Sequence, residues 1–95
     1  MNGGPNRSER RVRLSNVRGL HARASARFVK LAESFRAEVT VEKDGLAVPG
    51  TSIMGLMLLA AARGDDLIVR AEGEDADAAV AALADFVEAR FEEPD

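Results

Sequence analysis

The stretch "AEVTVEKDGLAVPG", residues 37–50, decides the fold. Val39 and Val41 alternate with Glu38, Thr40 and Glu42, the period of a strand with one face buried. Asp44-Gly45 follows, and the favoured two-residue hairpin turn needs positive φ at both central positions, which Asp and Gly tolerate. "LAVPG" reads as the short return strand, with Pro49 at its end, where a missing N–H does little harm. An antiparallel hairpin with one apolar face needs further strands beside it and helices over it.

Upstream of the hairpin, Ser25, Phe28, Val29, Ala32 and Phe35 recur at helical spacing, while Arg23, Arg27, Lys30 and Glu33 fall off that stripe. This predicts a helix over 22–35. Before it, "RRVRLSN" alternates Val12 and Leu14 with Arg11 and Arg13, another half-buried strand. Downstream, Thr51 or Ser52 caps a helix running to about Arg63, with Gly64 as a left-handed stop. "DLIVRAEG" supplies a fourth strand. Asp75 and Asp77 then open a last helix, whose stripe is Ala79, Val80, Leu83, Phe86 and Val87. The order is β-α-β-β-α-β-α. It predicts an α+β, open-faced sandwich: a four-stranded antiparallel sheet with three helices on one face. The pattern does not give the strand order, and ferredoxin-like folds share most of this string.

Ninety-five residues fit one domain, here expected over 10–92, with a flexible N-terminal tail at 1–9 and a C-terminal end at 93–95. Four Phe and no Tyr or Trp leave the core to aliphatic side chains. The formal charge of −3 and the missing stacking aromatics argue against nucleic acid as a partner. With no Cys there is neither disulfide nor thiolate chemistry, and no cluster of His and carboxylates has metal-ligand spacing. The N-terminal "MNGGPNRSERR" lacks the apolar run of a signal peptide, and no apolar stretch reaches membrane-spanning length. A cytoplasmic monomer without membrane insertion, metal or cofactor is the expectation.

The one histidine, His21, stands after Gly19-Leu20 at the start of the first helix, two residues before Arg23. The first amides of a helix lack internal partners and carry the positive end of the dipole, so an anion held near His21 meets donors and a guanidinium. Imidazole is also a competent nucleophile near neutral pH. On spacing alone, a lone histidine near a helix start is more often a helix cap or a solvated surface residue than a nucleophile. The second helix carries Ile53, Met54, Leu56, Met57, Leu58 and Leu59 around its whole circumference, more than one sheet can cover. Leu56 and Leu59 are assigned to the core, and Ile53, Met54 and Met57 to an exposed patch beside His21, with Met suited to several partners. A helix buried on both sides is the competing reading.

"GLHARASARFVKLAESFRAEVTVEKDG" resembles the active-site segment of HPr, the histidine-containing phosphocarrier family of the bacterial phosphoenolpyruvate-dependent phosphotransferase system. "GTSIMGLMLLAA" resembles that family's second-helix signature, and "AEGEDADAAVAAL" the start of its last helix. The likeness spans residues 10–91. It implies a phosphoryl-transfer intermediate rather than an independent enzyme, taking phosphate from Enzyme I and passing it to an EIIA-type acceptor. His21 matches the phosphorylated histidine, modified at Nδ1, and Arg23 the arginine that steadies the phosphoryl oxygens. Ser52 matches the serine that an HPr serine kinase/phosphorylase modifies in some bacteria; an N-cap role explains it equally well. The surface around both helices, with Arg18, Leu20, Ala24, Arg27, Ile53, Met54 and Met57, is implied to meet the partners. Arg18 and Arg27 either flank the phosphate or solvate a face, and Glu92 and Glu93 read as a solvated end. One departure stands out: the family places proline where this chain has Ala24. The alternative reading is a non-catalytic regulatory protein-binding domain of the same fold. "HARAS" and the absence of a fused transport domain lean toward the nitrogen-related branch rather than sugar uptake.

Overall fold

The computed structural model describes residues 6–93. Its elements are β1 (Arg7–Arg13), α1 (Ala22–Ala32), β2 (Glu38–Lys43), β3 (Leu46–Pro49), α2 (Ile53–Leu58), β4 (Asp66–Glu72) and α3 (Ala76–Glu88), followed by a short 3-10 turn at Arg90–Glu92. The strands form one antiparallel sheet in the order β1-β4-β2-β3. The hairpin turns as its sequence requires, with φ of 51° at Asp44 and 85° at Gly45, and Lys43 opposite Leu46.

Register places the apolar set of every strand on one face. Val12 lies opposite Leu67, and Val41 lies opposite both Val69 and Val48; all are buried. Phe28, Ala24 and Ala32 of α1, Leu56 of α2, and Ala79, Val80, Leu83 and Val87 of α3 close over that face. The other face is solvated and charged. Arg70 is bonded to Glu9 and Glu42, and Arg13 to Asp66 at 3.0 Å. Those contacts hold the Arg13 and Arg70 guanidinium groups above their ordinary pKa and hold the Asp66 carboxyl below its own, chiefly through the Arg13 hydrogen bond.

Four boundaries differ from the sequence reading. β1 starts at Arg7, inside the expected tail, because Arg7, Ser8 and Glu9 pair with Glu72, Ala71 and Arg70; residues 1–5 lie outside the described region. Leu14 leaves β1, although its N–H still bonds Asp65 O. α1 stops at Ala32, where Ser34 N–H turns back to Leu31 O and its hydroxyl bonds the same carbonyl. α2 stops at Leu58, well short of Arg63. Ala60, not Gly64, takes the left-handed conformation that ends it, with φ 51°. The reason is packing. The chain must reverse there for Leu59 and Ala61 to be buried and for Ala61 O to accept the Leu20 N–H at 3.0 Å.

Candidate functional site

The loop between β1 and α1 is built to aim His21. Asn16 to Gly19 is a β-turn closed by Gly19 N–H to Asn16 O, with Asn and Gly at the positions that favour them. Gly19 has φ +62°, and a Cβ there would stand 2.4 Å from Ala61 O and 2.8 Å from Ala62 Cα. Only glycine fits both the conformation and the approach. Asn16 is fully buried and donates from Nδ2 to Gly19 O at 2.8 Å.

His21 is the N-cap of α1, with φ −76° and ψ 178°. Its carbonyl accepts from Ser25 N–H, while its side chain does not cap the helix. Among the described residues, the N–H groups of Ala22, Arg23 and Ala24 have no acceptor. Arg23 is exposed and has no hydrogen-bond or ion-pair partner there. The site therefore brings together one imidazole, three free amides at the positive end of a helix dipole and one unengaged guanidinium. That set suits a tetrahedral oxyanion carried on the ring.

The ring is 19% exposed in its side chain. Its Nε2 lies 2.6 Å from Glu93 Oε2, and Glu93 Oε1 accepts from Asn16 Nδ2 at 3.3 Å. A carboxylate only accepts, so Nε2 carries a proton, and in the neutral ring that tautomer leaves the lone pair on Nδ1. Glu93 is not the solvated end that the sequence suggested: its side chain is 12% exposed. Sequence reasoning missed it, and missed Asn16 and Phe91. Asn16 left a turn signal three residues before Gly19, and Phe91 an apolar position beyond the last stripe. Glu93 left none.

The remaining expected residues divide. Ser52 is the cap of α2, with Oγ accepting from Gly55 N–H at 2.9 Å, which decides between Thr51 and Ser52. Ile53, Met54 and Met57 are exposed, as expected, and Leu58 is also exposed at 72%. α2 thus covers the core with Leu56, followed by the buried Leu59 in its cap, and turns the rest outward. A groove between α1 and α2 is lined by Val29, Lys30, Ser52, Ile53 and Met54. Arg18 is exposed. Arg27 donates to Phe91 O at 3.1 Å, so it braces the C-terminal turn. Leu20 and Ala24 correct the expected partner surface: at 5% and 0% exposure their side chains belong to the core. No group of His, Cys, Asp and Glu among the described residues is arranged to hold a metal ion. Nor is any described helix long and apolar enough to cross a membrane.

Fold and site together define an open-faced α+β sandwich that displays a histidine at a helix start. The family model described as PTS HPr component phosphorylation site matches residues 8–89. The chain belongs to that HPr family, and it is a phosphocarrier of the phosphotransferase system. It is 42% identical to the phosphocarrier protein HPr of Xylella fastidiosa over 85 residues, 90% of this chain and 96% of that protein. It is 38% identical to the phosphocarrier protein NPr of Shewanella violacea, covering 90% and 93% of the two chains. Among solved structures, HPr of Thermoanaerobacter tengcongensis superposes with a TM-score of 0.87 at 40% identity, over 92% of this chain and 98% of that one.

Proposed function

We propose that His21 is the phosphoryl-bearing residue of this phosphocarrier. One observation carries the reading: the imidazole stands at the N-cap of α1, before three amides and the Arg23 guanidinium, none of which has a partner among the described residues. Nδ1 attacks phosphorus in line as the donor's bond to phosphorus breaks, and later leaves as the acceptor attacks. The amides and Arg23 draw charge from the phosphoryl oxygens. Ala24 adds an amide that a proline would lack, so the relaxed helix start keeps a further donor. Transfer runs from Enzyme I to an EIIA-type acceptor, in the cytoplasm, with the chain acting as a monomer. Ile53, Met54 and Met57, with Leu58 and Arg18, form the surface that docks both partners. Phosphate on Ser52, added by an HPr serine kinase/phosphorylase, would be tolerated at the start of α2 and would place negative charge beside that patch.

The test is incubation with Enzyme I and phosphoenolpyruvate, followed by assay for acid-labile, base-stable phosphate. Labelling lost in His21→Ala supports the assignment. Undiminished labelling in that variant refutes it. A wild-type chain that binds Enzyme I without taking label would instead be a non-catalytic binding domain.

A further inference from the structure

The C-terminal turn adopts a costly conformation. Arg90, Phe91 and Glu92 all have positive φ, between 56° and 59°, in three consecutive residues that are not glycine. Each such residue is strained, and strain of this kind persists only where the surroundings impose it. Here they do. Phe91 is fully buried, edge-on to Phe86 with ring centroids 5.5 Å apart, and Arg27 holds its carbonyl. Glu93 N–H bonds back to Arg90 O. The product of this bracing is the position of one side chain: Glu93, turned back onto His21 and held from behind by buried Asn16.

Building on the assignment of His21 as the phosphoryl carrier, we propose that Glu93 is a positioning residue for transfer, acting through the Nε2 edge of His21. The Glu93 carboxylate accepts the Nε2–H, which fixes the ring plane and leaves the Nδ1 lone pair for phosphorus. When the P–Nδ1 bond forms and the donor's bond breaks, the Nε2 proton stays on the ring. The ring then carries positive charge, and Glu93 faces it. Acceptor attack breaks the P–Nδ1 bond, the electron pair returns to Nδ1, and no proton has left Nε2. Phosphoryl group and carboxylate occupy opposite edges of the imidazole, so their charges are kept apart by the ring. Asn16 Nδ2 donates to the second carboxylate oxygen at 3.3 Å, and its own Oδ1 is buried with no partner among the described residues.

Two readouts test this in the intact chain. Proton NMR of the wild type shows a downfield, slowly exchanging His21 Nε2–H, lost in Glu93→Ala; its absence from the wild type would overturn the proposal, and this readout involves no phosphoryl transfer. In transfer assays Glu93→Ala lowers kcat about tenfold, on the scale of one lost charge-assisted hydrogen bond, with KM for the donor protein unchanged. Glu93→Gln, which still accepts from Nε2–H, recovers part of that loss. Transfer by Glu93→Ala at or above the wild-type rate would make Glu93 a bystander or a plug and refute the positioning role. Transfer that survives His21→Ala would instead refute the assignment of His21. Circular dichroism, with Arg23→Ala as a folded control, separates these effects from unfolding.

Discussion

Replacing Gly19 by alanine tests whether the loop geometry that aims His21 is real. Two costs add. A non-glycine residue at φ +62° costs about 1–2 kcal/mol. The new Cβ, 2.4 Å from Ala61 O, must also push the loop off the segment after α2, and the Leu20 N–H to Ala61 O bond goes with it, about 0.5–1.5 kcal/mol. The expected total is roughly 1.5–3.5 kcal/mol, or about 6–28 °C in Tm for a domain of this size. Gly64→Ala is the matched control. Its φ is +93° and nothing lies within 4 Å of the added Cβ, so it carries the conformational cost alone. Urea denaturation of both variants, with m held constant, reads the difference directly. Transfer by the folded fraction of Gly19→Ala should also fall, because the displaced loop carries His21. Equal destabilisation by the two substitutions, or full transfer by Gly19→Ala, would show that the close approach at Gly19 does not set the aim of His21.

Three further outcomes are expected. Ser52→Ala removes the acceptor for Gly55 N–H and should cost about 1 kcal/mol in urea denaturation, leaving labelling of His21 intact. Met54→Asp, at a side chain 76% exposed, should leave stability within about 0.5 kcal/mol and raise KM for the donor protein severalfold in steady-state transfer. Arg13→Ala should raise the Asp66 pKa toward its ordinary value, read by carbon NMR of the carboxyl. A carboxyl depressed in the folded state contributes stability above its unfolded pKa and loses it as pH falls through the folded value. Denaturation at neutral and acid pH should therefore show the wild type losing more stability on acidification than Arg13→Ala.

The hairpin, the inward faces of the strands and the core residues of α2 were legible because each depends on local period and turn chemistry. Asp44-Gly45, Leu56 and Leu59 sit as their neighbours dictate. Strand order was not legible. β4 enters between β1 and β2, and that choice depends on long-range pairing. The end of α2 was missed because burial of Ala61 overrode the glycine stop at Gly64. At the site, the place of His21 at the start of α1 and of Arg23 off its buried stripe was legible from helical period; their roles in transfer came from the family resemblance and are proposed. Leu20 and Ala24 lie in the same motif yet serve the core, because a helix laid on a sheet buries one stripe whatever its ends do. Glu93 was invisible. Its place follows from a left-handed turn in residues with no preference for it, imposed by the burial of Phe91.

Nitrogen and phosphorus NMR of the intact chain, after phosphorylation by Enzyme I and phosphoenolpyruvate, reads the phosphoryl-bearing atom itself. A single phosphorus coupled to Nδ1 of His21 is expected, with the largest amide shifts at Ala22, Arg23 and Ala24. Phosphorus on any other atom, or those three amides unmoved, would contradict the assignment of His21.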